Sequence, residues 1–158
     1  MKEEYRKARK EFAEAASGLE KEARTNAREA YERIKECADE RMQAIKEGLR
    51  EQVREEKETG DASARSNIRA AREAARKARD RVNMEVITAR ADLEGDRADL
   101  RADVADVKRS IREAAKEERP VGTYDVSGEA RHTEEAIASD TAASLDRICR
   151  TGRETTDR

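Results

Sequence analysis

The sequence between residues 90 and 107 repeats one four-residue word: Arg90-Ala91-Asp92-Leu93, Arg97-Ala98-Asp99-Leu100, Arg101-Ala102-Asp103-Val104 and the shortened Ala105-Asp106-Val107. Successive residues of an α-helix are about 100° apart around its axis, so the four members of the word point in four directions. Because later copies start seven and eleven residues after the first, each residue type returns to nearly the same side. The stretch predicts a helix with two opposite apolar stripes, separated by one basic and one acidic flank.

The second of these stripes, on the side away from Leu93 and Leu100, is built mainly from small residues. A helix that is apolar on opposite sides has to be covered on both, so we expect a partner to lie against this stripe. The predicted assembly residues are its members Met84, Ile87, Ala91, Ala98, Ala102 and Ala105.

The composition of the 158-residue chain is typical of long helices with a narrow apolar seam. Charged residues make up 46% of it, yet the net charge is only −2, and 28 alanines supply half of the apolar residues. Aromatic residues are 3% and Trp is absent, so few side chains are available to line a substrate pocket. We therefore expect a protein that is not an enzyme and holds no cofactor.

Apolar residues return every 11 residues in the first third of the chain, as in Phe12, Ala23, Ile34 and Ile45. Eleven residues in three turns give a nearly straight helix, which we place at about 3–58. Gly60 and Asp61 then provide a helix end and a new cap, and a second helix follows at 62–119. The short connector predicts an antiparallel hairpin in which residue i lies level with about residue 121 minus i.

A third, shorter helix is predicted at 129–150, after a linker at 120–128 that begins with the chain's single proline, and before a frayed tail at 151–158. The fold class is therefore all-α, a long antiparallel, coiled-coil-like hairpin with a short C-terminal helix. If the third helix turns back from the start of the hairpin, Cys149 lies level with Ala23, far from Cys37. We accordingly expect no internal disulfide and expect both cysteines to be buried.

A basic run starts the second helix, level with an acidic run at 47–58 of the first helix. Pairing of the two runs within the hairpin is the simpler explanation. The alternative is binding of a nucleic acid or another polyanion, for which the candidate residues are Arg69, Arg72, Arg76 and Arg79.

We predict no metal site. The acidic flank of Asp92, Asp96, Asp99, Asp103 and Asp106 follows one straight helix face, where carboxylates diverge, so a solvated or arginine-paired flank is expected. The single histidine, His132, with Glu135 three residues later, would need ligands from another subunit, and a surface histidine is expected instead.

The sequence contains no run of 18 apolar residues, and residues 1–10 lack the apolar segment of a secretory signal. We expect no transmembrane segment and an intracellular location, either cytoplasmic or within a viral or other macromolecular assembly.

These features favour a structural protein that packs into a homo-oligomer or a large complex, such as a virion or phage scaffold or internal component, or a filament subunit. Polyanion binding is the second hypothesis. A third is a stress-protective or membrane-surface helix, since the composition of repeats such as Ala13 to Ala23 resembles that of late-embryogenesis-abundant proteins and of lipid-surface 11-residue repeats.

Overall fold

A computed structural model describes residues 2–120 and 126–153, with the backbone alone for 151–153. It contains three helices, α1 (Lys2–Thr59), α2 (Ala64–Lys116) and α3 (Ser127–Arg153), and no strand within the described ranges. The all-α hairpin with a short third helix is therefore confirmed.

The seam positions predicted for α1 from the 11-residue periodicity all lie inward. Ile34 is fully buried and Ala16 is 1% exposed, whereas most of the intervening charged side chains face solvent. The buried members are Phe12, Ala16, Leu19, Ala23, Ala27, Ala30, Ile34, Ala38 and Ile45. An alanine-rich seam of this kind lets α1 pack closely against its neighbours while burying little area per residue.

The turn between α1 and α2 follows the expected chemistry. Gly60 has φ of +59°, the left-handed conformation that ends many helices and that glycine adopts without a steric penalty. The Asp61 carboxylate accepts a hydrogen bond from the amide of Ala62 at 2.8 Å, and the Asp61 carbonyl accepts one from Ala64 at 3.0 Å. Asp61 therefore accepts hydrogen bonds from one amide of the connector and from the first amide of α2, which has no intrahelical partner.

The chain divides into two compact units, and all three helices contribute to both. Unit 1 comprises Met1–Ala30 and Asp92–Asp140. Val107, Val126 and Ala130 pack against its core, so the start of α3 lies on the α1–α2 seam here. The core cluster consists of Phe12, Ala16, Leu19, Ala23, Leu100, Val104 and Ile111.

Unit 2 comprises Tyr31–Ala91 and Thr141–Arg158. Ile34 of α1, Val82 of α2 and Ile148 of α3 are each 0% exposed, so three helices meet around them. Closer to the turn at Gly60 the seam residues are only half-buried: Leu49, Val53, Ile68, Ala71 and Ala75. The seam thus becomes shallower towards the connector, as expected for a two-helix segment.

Contacts between α1 and α2 confirm the predicted register within each unit. In unit 1 the Tyr5 hydroxyl donates to the carbonyl of Ala114 at 3.2 Å. In unit 2 the Arg90 guanidinium lies 6.0 Å from the ring centroid of Tyr31, a pair whose numbers total 121.

The axial position of α3 differs from our expectation. Gly128, Glu129 and His132 share a surface depression with Val107 of α2, so α3 starts about three helical turns further along the hairpin than assumed. Cys149 therefore lies beside Cys37, whereas we expected it level with Ala23, and its side chain is exposed where we expected burial.

Helix ends also differ by a few residues from those expected. The α2 helix ends at Lys116, and Glu118 follows with φ of 51°. The α3 helix begins at Ser127 and continues through Arg153, into the segment expected to be a frayed tail. Residues 121–125 of the linker and 154–158 of the tail lie outside the described residues.

Candidate assembly surface

Two large apolar side chains of α2 are exposed in unit 2. Met84 is 59% and Ile87 is 61% exposed, and they are the exposed large hydrophobic side chains among the described residues. Ala91, one turn after Ile87, is also exposed. The three residues are spaced by three and four positions, so they share one side of the helix, away from the buried Val82 and Ala89.

The same spacing continues on α2 in unit 1, where Ala98, Ala102 and Ala105 are exposed. Gly95 also belongs to this side, and a Cβ atom built on it would meet no atom within 4 Å. None of the described helices covers these residues, in contrast to Leu93 and Leu100 on the opposite side, which are 4% and 2% exposed. We call the six residues Met84, Ile87, Ala91, Ala98, Ala102 and Ala105 the α2 stripe.

Charged side chains of opposite sign border the α2 stripe in unit 1. Arg97 and Arg101 lie on one side of Ala98 and Ala102, and Asp99 and Asp103 lie on the other, as helical spacing requires. Arg101, Asp99 and Asp103 are exposed and Arg97 is half-buried. The stripe is therefore an apolar strip between a basic and an acidic border.

The four arginines proposed for polyanion binding are exposed on α2 in unit 2. Arg69, Arg72, Arg76 and Arg79 have the spacing of a single helix side. Arg76 donates to the Glu73 carboxylate of its own helix at 2.7 Å, and Arg54 of α1 likewise lies near Glu51 and Glu58 of its own helix. These ion pairs form within one helix, and Asn67 of α2 donates to the Glu56 carboxylate of α1 at 3.2 Å.

Asp96 departs from the solvated acidic flank predicted for it. It is half-buried and lies close to Asp140 of α3, while its Oδ2 atom is buried without a hydrogen-bond partner among the described residues. Burial, then the neighbouring Asp140, and then Asp99 and Asp92 raise the pKa of Asp96 to about 7. One sequence signal could have revealed this pair. The α2 seam has no apolar residue midway between Leu93 and Leu100, and Asp96 occupies that seam position.

The terminal part of α3 is fixed to α2 by a second polar contact that the sequence did not reveal. The Arg147 Nε atom donates to Glu85 at 2.6 Å, and the Arg147 guanidinium also donates to the hydroxyl of Ser144 at 3.1 Å. Ser144 is 0% exposed. Partial burial strengthens such a charge-assisted hydrogen bond, so this contact positions α3 in unit 2.

The residues considered as metal ligands do not form a recognisable site. His132 is exposed and lies beside Asp103, Asp106 and Glu129 at a shallow surface depression in unit 1. Within residues 2–120 and 126–150 no group of three or more His, Cys, Asp or Glu side chains has an arrangement that could hold a metal ion. None of the described helices is both long and apolar enough to cross a bilayer.

Comparison of the chain with protein-family models, with characterised proteins and with solved structures finds no match.

Proposed function

We propose that the protein is a non-enzymatic structural component that assembles with further copies of itself through the α2 stripe. The observation that carries this proposal is the exposure of Met84 and Ile87, at 59% and 61%. Burial of each side chain in an interface would contribute about 1.5 to 3 kcal/mol, which favours a partner for this side of the helix. Scaffold components of virions or phages and subunits of filaments are the classes of protein that this proposal includes.

A second copy of the chain is the partner that the charges favour. When two α2 helices pair in parallel about a two-fold axis, the basic border of one lies beside the acidic border of the other. An antiparallel pair would instead place like charges together, which is unfavourable. In the parallel pair, Arg97 and Arg101 of one copy would therefore lie beside Asp99 and Asp103 of the other.

The small side chains of the stripe suit such a pair. Ala98 and Ala102 allow two helix backbones to approach closely, and the open space above Gly95 allows the same. The larger Met84 and Ile87 would provide most of the apolar area in unit 2. Small side chains alone bury little surface, so the affinity would depend chiefly on these two residues.

Light scattering coupled to size exclusion, over a range of concentrations, tests the proposal. The native protein should show a mass that is a multiple of 17.8 kDa. Met84→Glu with Ile87→Glu, and separately Ala98→Glu with Ala102→Glu, should reduce it to the monomer mass, because each pair would bury like charges against a second copy.

A matched control is available on α3. Ala138 and Ala142 are exposed, have the same spacing as Ala98 and Ala102, and lie off α2. Ala138→Glu with Ala142→Glu adds the same charge and should leave the mass unchanged. A native protein that remains monomeric at every concentration, or stripe variants that keep the native mass, would refute assembly through α2.

Polyanion binding is the second candidate, and the shared exposed side of Arg69, Arg72, Arg76 and Arg79 supports it. A mobility-shift titration with duplex DNA should then show binding that weakens as salt rises, and that is lost in the variant with all four changed to Gln. The membrane-surface alternative instead predicts weak helical circular dichroism in buffer and a rise on adding anionic vesicles.

A further inference from the structure

Two cysteines that are distant in sequence lie close together in unit 2. Cys37 belongs to α1 and Cys149 to α3, and their thiols are near enough to interact. Both are free thiols. The whole of α2 separates them in sequence, so tertiary packing alone brings them together.

Neighbouring contacts fix Cys149 in this position. The residue before it, Ile148, is 0% exposed, and Arg147 is bonded to Glu85 of α2 at 2.6 Å. These two contacts hold the terminal turns of α3 against the hairpin. The position of Cys149 beside Cys37 is therefore fixed by the packing of α3.

The two thiols differ in access to solvent. Cys149 is exposed, whereas Cys37 is half-buried at the edge of the α1 seam. Burial, together with the contact with Cys149, raises the pKa of the Cys37 thiol. An oxidant from solution therefore reacts with Cys149 first, and Cys37 is the neighbouring thiol that can react with the product.

We propose that Cys37 and Cys149 form a reversible disulfide by exchange with small-molecule disulfides, and that this bond fastens α3 to α1. In the first step the Cys149 thiolate attacks one sulfur of the small disulfide, which forms a mixed disulfide and releases one small thiol. In the second step Cys37 loses its proton to solvent and attacks the Cys149 sulfur, which releases the second small thiol. Two protein thiols are oxidised, and one small disulfide is reduced to two thiols.

The composition of the α3 core explains why a covalent tie would matter here. Three of its buried positions are polar, namely Thr133, Thr141 and Ser144, beside the apolar Ile137 and Ile148. A hydroxyl side chain contributes less apolar burial than a leucine or isoleucine would. The disulfide would therefore change α3 from a helix held by modest packing into one that cannot leave α1.

The experiment equilibrates the full-length protein with glutathione and glutathione disulfide in different ratios, followed by acid quenching, intact mass spectrometry and thiol counting. The native chain should lose both thiols together, as a monomer lighter by two hydrogen atoms and without a glutathione adduct. Cys37→Ser should instead accumulate one glutathione on Cys149, because no thiol remains to resolve the mixed disulfide. Both serine variants are conservative at positions that are exposed or half-buried, and circular dichroism checks that they fold.

A second measurement reports on α3 itself. Hydrogen exchange of the amides from Thr141 to Arg150 should slow on oxidation of the native chain and stay unchanged in Cys149→Ser. The proposal is overturned if the native chain carries glutathione on either cysteine at equilibrium, or forms disulfide-linked dimers on a non-reducing gel. It is also overturned if both thiols persist in glutathione disulfide. None of these outcomes depends on whether the α2 stripe mediates assembly.

Discussion

The side chain of Asp96 in α2 lies close enough to that of Asp140 in α3 for the two carboxyl groups to interact in unit 1. Two neighbouring carboxylates repel, so the pair favours the protonated form of one of them. Burial, as the main cause, and Asp140 raise the pKa of Asp96 to about 7, so Asp96 is the carboxyl that keeps its proton to higher pH. The contact between these two helices therefore depends on the protonation of one side chain.

Stability should depend on pH through Asp96. Its pKa is near 4 in the unfolded chain and about 7 in the folded one, so the folded state retains a proton that the unfolded state loses. The stabilisation is complete below pH 4 and declines as pH rises to 7. Asp96→Asn, which cannot ionise, should therefore stabilise the protein relative to the native chain at pH 8 and have little effect at pH 4.

Because Asp96 is partly exposed, solvent screening limits the expected difference to about 1 kcal/mol. Urea unfolding of both proteins at the two pH values measures it. Asp99→Asn, a change at an exposed neighbour on the same helix, is the control and should show a much smaller pH dependence. Equal effects of Asp96→Asn at pH 4 and pH 8 would argue against a proton held between the helices.

Glycine substitutions should have opposite effects at two positions near the hairpin turn. Gly48 is an exposed interior residue of α1 with free space around an added Cβ, so Gly48→Ala should stabilise by about 0.5 to 1 kcal/mol. Gly60 has φ of +59°, and Gly60→Ala should destabilise by about 1 kcal/mol despite equal space. Thermal unfolding monitored by circular dichroism measures the stability of both variants relative to the native chain. An increase in stability for Gly60→Ala would contradict the assigned turn.

The hydroxyl group of Tyr5 should stabilise the end of α2. Its single proton is shared between the carbonyl of Ala114, at 3.2 Å, and that of Arg119, and the Ala114 carbonyl also accepts from the amide of Arg119 at 3.0 Å. Tyr5→Phe keeps the ring and should cost about 1 kcal/mol of unfolding free energy. Tyr31→Phe is the comparison, because the interaction of Arg90 is with the Tyr31 ring and survives loss of the hydroxyl.

The direction of pairing between two copies can be read from cross-links. In a chain with Cys37→Ser and Cys149→Ser, Ala91→Cys and Ala105→Cys each introduce one thiol on the α2 stripe. Parallel pairing brings each new cysteine opposite its own counterpart, so both single variants should form dimers on oxidation. Cross-links that appear only when the two variants are mixed would indicate an antiparallel pair and would contradict the charge argument.

The sequence predicted α1 and its inward face because a helix repeats every 3.6 residues, and burial of one side selects apolar residues at that period. The short connector between the two helices predicted the register with which the contact of Tyr31 and Arg90 agrees. It also predicted which α2 residues lie away from the core, although their role in assembly remains a proposal. Periodicity is local, so the residues needed for each inference are close together in the chain.

Only the tertiary structure decided where α3 lies along the hairpin, and with it the meetings of Cys37 with Cys149 and of Asp96 with Asp140. The α3 core has Thr and Ser at buried positions, so several axial offsets satisfy its pattern about equally. The offset is fixed by contacts such as that of Arg147 with Glu85. These join residues distant in sequence, and a local pattern carries no information about such distances.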